Sequence, residues 1–156
     1  MREESWEETG ARLERELLRL RPEELADFFR REEAALLTEP RPFARYMRLK
    51  LREKGLLQQN VFLAADLSEN YGYKLVAGEK HTRQRDTILR LCLAARFTPE
   101  ELREALILYG MAPLYSRFPR DAALQSAFQN GLYELPKVDR LLRSLGLPPL
   151  MKDGET

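Results

Sequence analysis

The side chains that most often carry catalysis are few in this sequence, and their spacing matches no common catalytic motif. The chain has one His, His81, and one Cys, Cys92. His81 lies in a polar segment, and Cys92 lies between two leucines of a predicted buried helix, where a cysteine is usually an inert core residue. No CxxC, HExxH or glycine-rich phosphate loop is present. We therefore expect that the chain is not an enzyme and needs no metal or small cofactor.

Positive charge is more informative than catalytic chemistry here, because it is concentrated in one stretch. Residues 41–96 contain twelve Lys and Arg against five Asp and Glu, whereas residues 1–40 contain seven against twelve. The remaining residues, 97–156, contain seven against eight, so a chain with a net charge of only +1 has one strongly basic part. A basic surface of this kind is what binding to phosphates requires.

The elements predicted to position these basic and amide side chains are two short helices joined by a tight turn. The first helix is predicted over residues 58–65. Ser68 is a favourable N-cap for a second helix over residues 69–77, which ends at Gly78. The turn between them contains Asp66, and aspartate tolerates left-handed backbone angles better than most residues.

Residues 55–86 resemble the phage-repressor-like (XRE-type) helix-turn-helix. The family pattern is matched at Gly55, Leu56, Gln58, Leu67, Ser68, Tyr71, Leu75, Gly78, Lys80, Arg85 and Asp86. The chain departs from it where Asp66 replaces the turn glycine, where Phe62 replaces a small residue, and where Gly72 lies inside the second helix. The resemblance implies a lambda-repressor-like five-helix unit in a cytoplasmic bacterial regulator that binds double-stranded DNA as a homodimer.

In this motif the second helix enters the major groove, and its N-terminal half faces the base edges. Asn70 could form two hydrogen bonds with adenine there, and Glu69 could accept one from cytosine. The first helix and the loop after the second helix would supply phosphate contacts. A solvated helix or loop explains the same polar residues without DNA. The complete set of predicted contacts is Gln58, Gln59, Glu69, Asn70, Tyr73, Lys74, Lys80, His81 and Arg83.

The composition predicts an all-α fold throughout, because Leu, Arg, Glu and Ala dominate the sequence and favour helix. Two prolines near residue 40 separate a predicted N-terminal helical arm, 1–40, from the helix-turn-helix domain, 42–114. A C-terminal helical hairpin, 115–150, and a tail, 151–156, follow. No apolar run approaches the roughly 20 residues of a membrane span. A single Cys excludes an internal disulfide, which favours the cytoplasm.

The arm has an apolar face larger than its first helix can cover. We therefore expect this face to pack on the main domain or on a second copy of the chain. The residues of this predicted face are Leu25, Phe28, Phe29 and Leu36.

An internal repeat relates residues 85–114 to residues 120–150. Each copy begins with Arg-Asp and ends with Gly-x-x-Pro-Leu. The repeat predicts two stacked helical hairpins in which Gly110 and Gly146 hold equivalent places. Because Arg120 has no role in DNA binding on this hypothesis, its counterpart Arg85 is as well explained by a structural role as by a phosphate contact.

The same residues leave a second function open. Residues 71–73, 114–117 and 120–121 resemble XRE-type regulators that continue past the DNA-binding unit into further helices. That resemblance implies an added interaction module, in signalling by protein kinases. The alternative function is therefore a non-enzymatic adaptor that keeps the helix-turn-helix fold and binds another protein. The two functions differ in whether the basic face meets phosphate.

Overall fold

A computed structural model describes residues 2–151, and within that range the chain forms α-helices, one turn of 3-10 helix and no strand. The all-α prediction is confirmed. No helix of the described range is long and apolar enough to cross a membrane. The predicted tail, 151–156, lies outside the described residues apart from Met151. The helices are α1 (Trp6–Leu17), α2 (Leu25–Arg31), α3 (Pro42–Glu53), α4 (Gln58–Ala64), α5 (Glu69–Ala77), α6 (Arg85–Ala94), α7 (Pro99–Tyr109), α8 (Pro119–Gln129) and α9 (Leu135–Ser144).

The chain divides into two compact units whose boundary falls between Pro40 and Arg41. In the first unit α1 begins at a capping box, in which Ser5 accepts from the Glu8 amide and Glu8 accepts from the Ser5 amide. The second unit contains α3 to α9 around one hydrophobic core.

The predicted apolar face of the arm is wrong in part, because α2 ends at Arg31. Leu36 therefore lies beyond the helix. Phe28 is buried, but its neighbour Phe29 is half exposed. A longer α2 would have the carboxylates of Glu32 and Glu33 at its C-terminal end, where the helix dipole is negative, and this is unfavourable.

The second unit contains three helical hairpins, α4–α5, α6–α7 and α8–α9, whose turns have the same conformation. Each turn contains one left-handed residue, with φ between 57° and 69°. The next amide donates to the carbonyl five residues earlier, over 2.8 to 3.1 Å. The left-handed residues are Asp66, Arg96 and Gly131. Each second helix then ends at a left-handed glycine, and these are Gly78, Gly110 and Gly146.

This arrangement confirms that Gly110 and Gly146 hold equivalent places. It also shows a third copy of the hairpin, α4–α5, which the internal repeat in the sequence did not include. The hairpin α4–α5 has the same turn and the same left-handed end as the other two. Its helices have only 7 and 9 residues, whereas those of the other hairpins have 10 or 11. The shorter helices change the spacing between matching residues and conceal the repeat.

Two reciprocal ion pairs join the second and third hairpins. Arg85 donates to Asp121, and Arg120 donates to both carboxylate oxygens of Asp86, at 2.8 and 2.9 Å. The hydrogen bond to Asp86 raises the pKa of Arg120 above its ordinary value, so this guanidinium stays charged. Arg85 therefore has the structural role that the repeat suggested. It is the first residue of the hairpin α6–α7, and it is bonded to the aspartate near the start of the hairpin α8–α9.

A cluster of charges joins α3 to the first turn of α7. Glu101 lies 3.3 Å from Lys50 Nζ and 2.7 Å from Lys54 Nζ. It also accepts from the Thr98 amide, so the same carboxylate caps α7. Burial opposes ionisation of Glu101, but the Lys54 hydrogen bond, the Thr98 amide and the lysine charges together lower its pKa below the ordinary value.

We expect the free energy of unfolding of the variant E101Q to depend less on pH in the acid range than that of the wild type. A carboxyl whose pKa is lower in the folded state stabilises above its unfolded pKa, and this stabilisation is lost as the pH falls through the folded value. The wild type should therefore lose more unfolding free energy than E101Q between about pH 5 and about pH 3. Urea unfolding at several pH values measures this difference. A gap between the two proteins that does not change with pH would contradict the prediction.

Candidate nucleic-acid interface

The helix predicted to read DNA, α5, is defined at both ends by local hydrogen bonds. Ser68 Oγ accepts from the Tyr71 amide at 3.2 Å, and Gly78 ends the helix with φ 82°. The buried side of α5 carries Gly72, Leu75 and Val76. Its outward side carries the residues that the sequence predicted to face the base edges, Glu69, Asn70, Tyr73 and Lys74. The first three are exposed, and Lys74 is half-buried.

A surface cleft of about 300 Å³ lies where α3, the start of α4 and the length of α5 meet. It brings together four of the nine predicted contacts, namely Gln58, Asn70, Tyr73 and Lys74. Arg48 of α3 completes the positive charge of the cleft, and Glu79 contributes one carboxylate. Two cations, two amides and a phenol can donate to phosphates and to the acceptors of base edges.

The other predicted contacts lie outside this cleft. Gln59 and Glu69 are exposed on α4 and α5, and Lys80 and Arg83 are exposed in the loop after α5. His81 stacks on Tyr109, with ring centroids 4.5 Å apart and planes within 4°.

The loop that carries His81 is anchored at Tyr109. The Thr82 amide donates to the Tyr109 hydroxyl at 2.7 Å, and the Thr82 hydroxyl accepts from the Gln84 amide. Burial raises the pKa of Tyr109 above its ordinary value. These contacts order the loop next to the end of α5.

Two of the departures from the family pattern compensate each other. Phe62 on α4 is fully buried, and its ring lies against Gly72 on α5. A Cβ at position 72 would lie 2.4 Å from Phe62 Cγ, so only glycine allows the ring to lie there. The ring also packs edge-on against Tyr73, at 5.0 Å between centroids. A large residue on α4 and a small one on α5 therefore set the distance between these helices.

Comparisons with protein-family models, curated proteins and solved structures found no match. Function is therefore inferred from the chemistry of the cleft and of the helix faces around it.

The contribution of α3 to this surface is not among the contacts predicted from the sequence. Its exposed side carries arginines at positions 45, 48 and 52, and Arg41 directly before the helix extends them into a row. Their spacing of four, three and four residues is a helical periodicity that was visible in the sequence. The count of charges along the chain shows an excess of positive charge in residues 41–96, but it does not show which face of the fold carries that excess.

Proposed function

We propose that this chain binds double-stranded DNA through α5, as a regulator of the XRE helix-turn-helix type. The observation that carries the proposal is the cleft in which Arg48, Gln58, Asn70, Tyr73 and Lys74 meet. These side chains come from three helices, and the amides and cations among them match the acceptors of DNA.

In the proposed complex α5 lies in the major groove with its first half against the bases. Asn70 reads adenine, and Glu69 accepts from cytosine where that base is within reach. Lys74, Lys80 and Arg83 neutralise phosphates, and Gln58 and Gln59 hydrogen-bond to the backbone next to them. His81 contacts a phosphate from its stacked position on the Tyr109 ring.

We expect binding to fall steeply with salt. The variant K74A/K80A/R83A should lower the slope of log K against log salt by about 2.7, because each neutralised phosphate contributes about 0.9. N70A should instead cost about 1–3 kcal/mol at a preferred site and little on random DNA. Fluorescence anisotropy with a random duplex and with a duplex selected from a randomised pool measures both effects.

The matched control replaces three exposed cations of α7 and α9, as R103A/K137A/R140A. It changes the net charge by the same amount and should leave the slope at the wild-type value. Wild type, triple variant and control that all bind equally poorly at low salt would contradict DNA binding.

The alternative, a protein-binding adaptor, is favoured by a different surface. Tyr115 and Phe118 are both exposed, and their rings contact each other with centroids 5.3 Å apart. The preceding residue, Leu114, lines a cleft of about 230 Å³ between α7 and α8. If the anisotropy titration finds no DNA binding, this apolar surface is the next one to test.

The proposal includes a homodimer, since XRE-type regulators are expected to bind two half-sites. It is supported by the apolar side chains that the first unit exposes, Leu17, Leu18, Phe29 and Leu37. The same titration at high DNA concentration gives the stoichiometry. Two chains per selected duplex are expected, and one chain per duplex would contradict the homodimer.

A further inference from the structure

We propose that the outward face of α3 is a second DNA-contacting surface, on which a row of arginines binds phosphates of the strand beside the groove that α5 occupies. This inference rests on the proposed function and extends it to a helix outside the predicted reading motif. The arginine row is defined as Arg41, Arg45, Arg48 and Arg52, of which Arg41 directly precedes α3 and the others lie on it.

The arginine row lies on one side of α3. Positions four, three and four residues apart fall within about 60° of one another on a helix of 3.6 residues per turn. All four side chains are exposed. The opposite side of α3 is buried in the core of the second unit, through Phe43, Met47 and Leu51 among others. The only acidic residue of α3, Glu53, lies 3.5 Å from Lys50 Nζ, so part of its charge is already compensated.

Two contacts place the arginine row beside α5. Arg48 lines the cleft together with Asn70 and Lys74. At the other end of α5, Arg41 Cδ lies 3.0 Å from the position that a Cβ would occupy at Gly78. The row therefore runs along α5, on the same surface as the predicted contacts.

The dimensions of the duplex fit this placement. The major groove is about 12 Å wide, so a helix at its centre has a phosphate strand on each side. Packed helices lie about 8–10 Å apart, which places α3 above one of those strands when α5 is in the groove. From Arg41 to Arg52 the row extends about 16 Å at about 1.5 Å per residue.

The chemistry of arginine also suits a phosphate strand. The guanidinium is planar, stays charged, and can donate two parallel hydrogen bonds to one phosphate. The solvated side of any amphipathic helix shows this periodic spacing, so the position of the row next to the cleft is the observation that points to DNA. The row contains four of the twelve Lys and Arg of residues 41–96, whereas the loop after α5 contains two, Lys80 and Arg83.

The test compares R41Q/R48Q/R52Q with the wild type in the full chain, by anisotropy on a random duplex of about 24 base pairs. Glutamine keeps the Cβ and Cγ methylenes of arginine and removes only the charge and the end of the side chain. We expect the salt slope to fall by about 2.7 and the affinity to fall at least about tenfold at about 50 mM salt. The variant R41K/R48K/R52K should keep the slope, because lysine keeps the charge.

The matched control R103Q/R117Q/R140Q removes three exposed arginines from α7, the loop before α8, and α9. Its slope should equal that of the wild type, and circular dichroism should be the same for all variants. If R41Q/R48Q/R52Q binds as the wild type does, the row makes no DNA contact, and the proposed function stands without it. If the wild type binds no duplex at low salt, the proposed function fails and this inference fails with it.

Discussion

Replacing Gly72 by alanine is expected to lower the free energy of unfolding of the second unit by about 1–3 kcal/mol, the usual cost of overpacking a core. The direction is informative, because alanine is otherwise the better helix former by about 1 kcal/mol. The new Cβ would lie 2.4 to 2.7 Å from three ring atoms of Phe62. That ring is fully buried and packed against Tyr73, and the nearest atom is Cγ, which a rotation of the ring about its own axis does not move. Urea unfolding followed by circular dichroism measures the change.

A second background reverses the sign of this effect. F62A alone should cost about 3–5 kcal/mol, as is usual for a buried phenylalanine. In the F62A background the clash is gone, and adding G72A should stabilise the unit by up to about 1 kcal/mol. If G72A has the same effect in both backgrounds, the ring of Phe62 is not what requires glycine.

The control for helix propensity is Gly10, which lies inside α1 with nothing within 4 Å of an added Cβ. G10A should stabilise the first unit by up to about 1 kcal/mol, because there only propensity changes. Fluorescence of Trp6, the only tryptophan, follows that unit separately.

Replacing Asp121 by alanine is expected to cost about 3 kcal/mol, the lower end of the range for breaking a buried ion pair. Asp121 is 2% exposed and accepts from two donors, Arg85 Nη2 and the Tyr115 amide, the latter at 2.9 Å. Its removal takes the carboxylate partner from Arg85, which keeps only a 3.4 Å hydrogen bond to the Ala112 carbonyl, and leaves the Tyr115 N–H without its acceptor. D121N should cost less, since its amide oxygen can still accept from Tyr115. Urea unfolding of the three proteins gives these differences.

The exposed ion pair of Glu134 with Lys137 is the matched control, at 2.9 Å and with both side chains more than half exposed. E134A should change the unfolding free energy by less than about 1 kcal/mol, as is typical of surface pairs. A cost for D121A no greater than that for E134A would show that the Arg85–Asp121 pair does not stabilise the hairpins.

The sequence by itself determined the helices of the second unit and most of their ends. Ser68 and Gly78 bound α5 where the sequence predicted, and Thr98 with Glu101 forms a capping box at the start of α7, which is a pattern of residue types along the sequence. Asp66 lies in the predicted turn and takes a left-handed angle, with φ 58°. These features depend on hydrogen bonds between residues at most six positions apart, so a local pattern of residue types is enough to predict them.

Only the tertiary structure decided which helix faces meet. The sequence presented Phe62 and Gly72 as two separate departures, but they form one contact across the turn. Arg48 comes from a helix outside the predicted motif, and it reaches the cleft because α3 packs against α5. The ion pair between Arg85 and Asp121 joins residues 36 positions apart. Such contacts follow from how the helices pack around a shared core, and the spacing of residues along one chain does not contain that information.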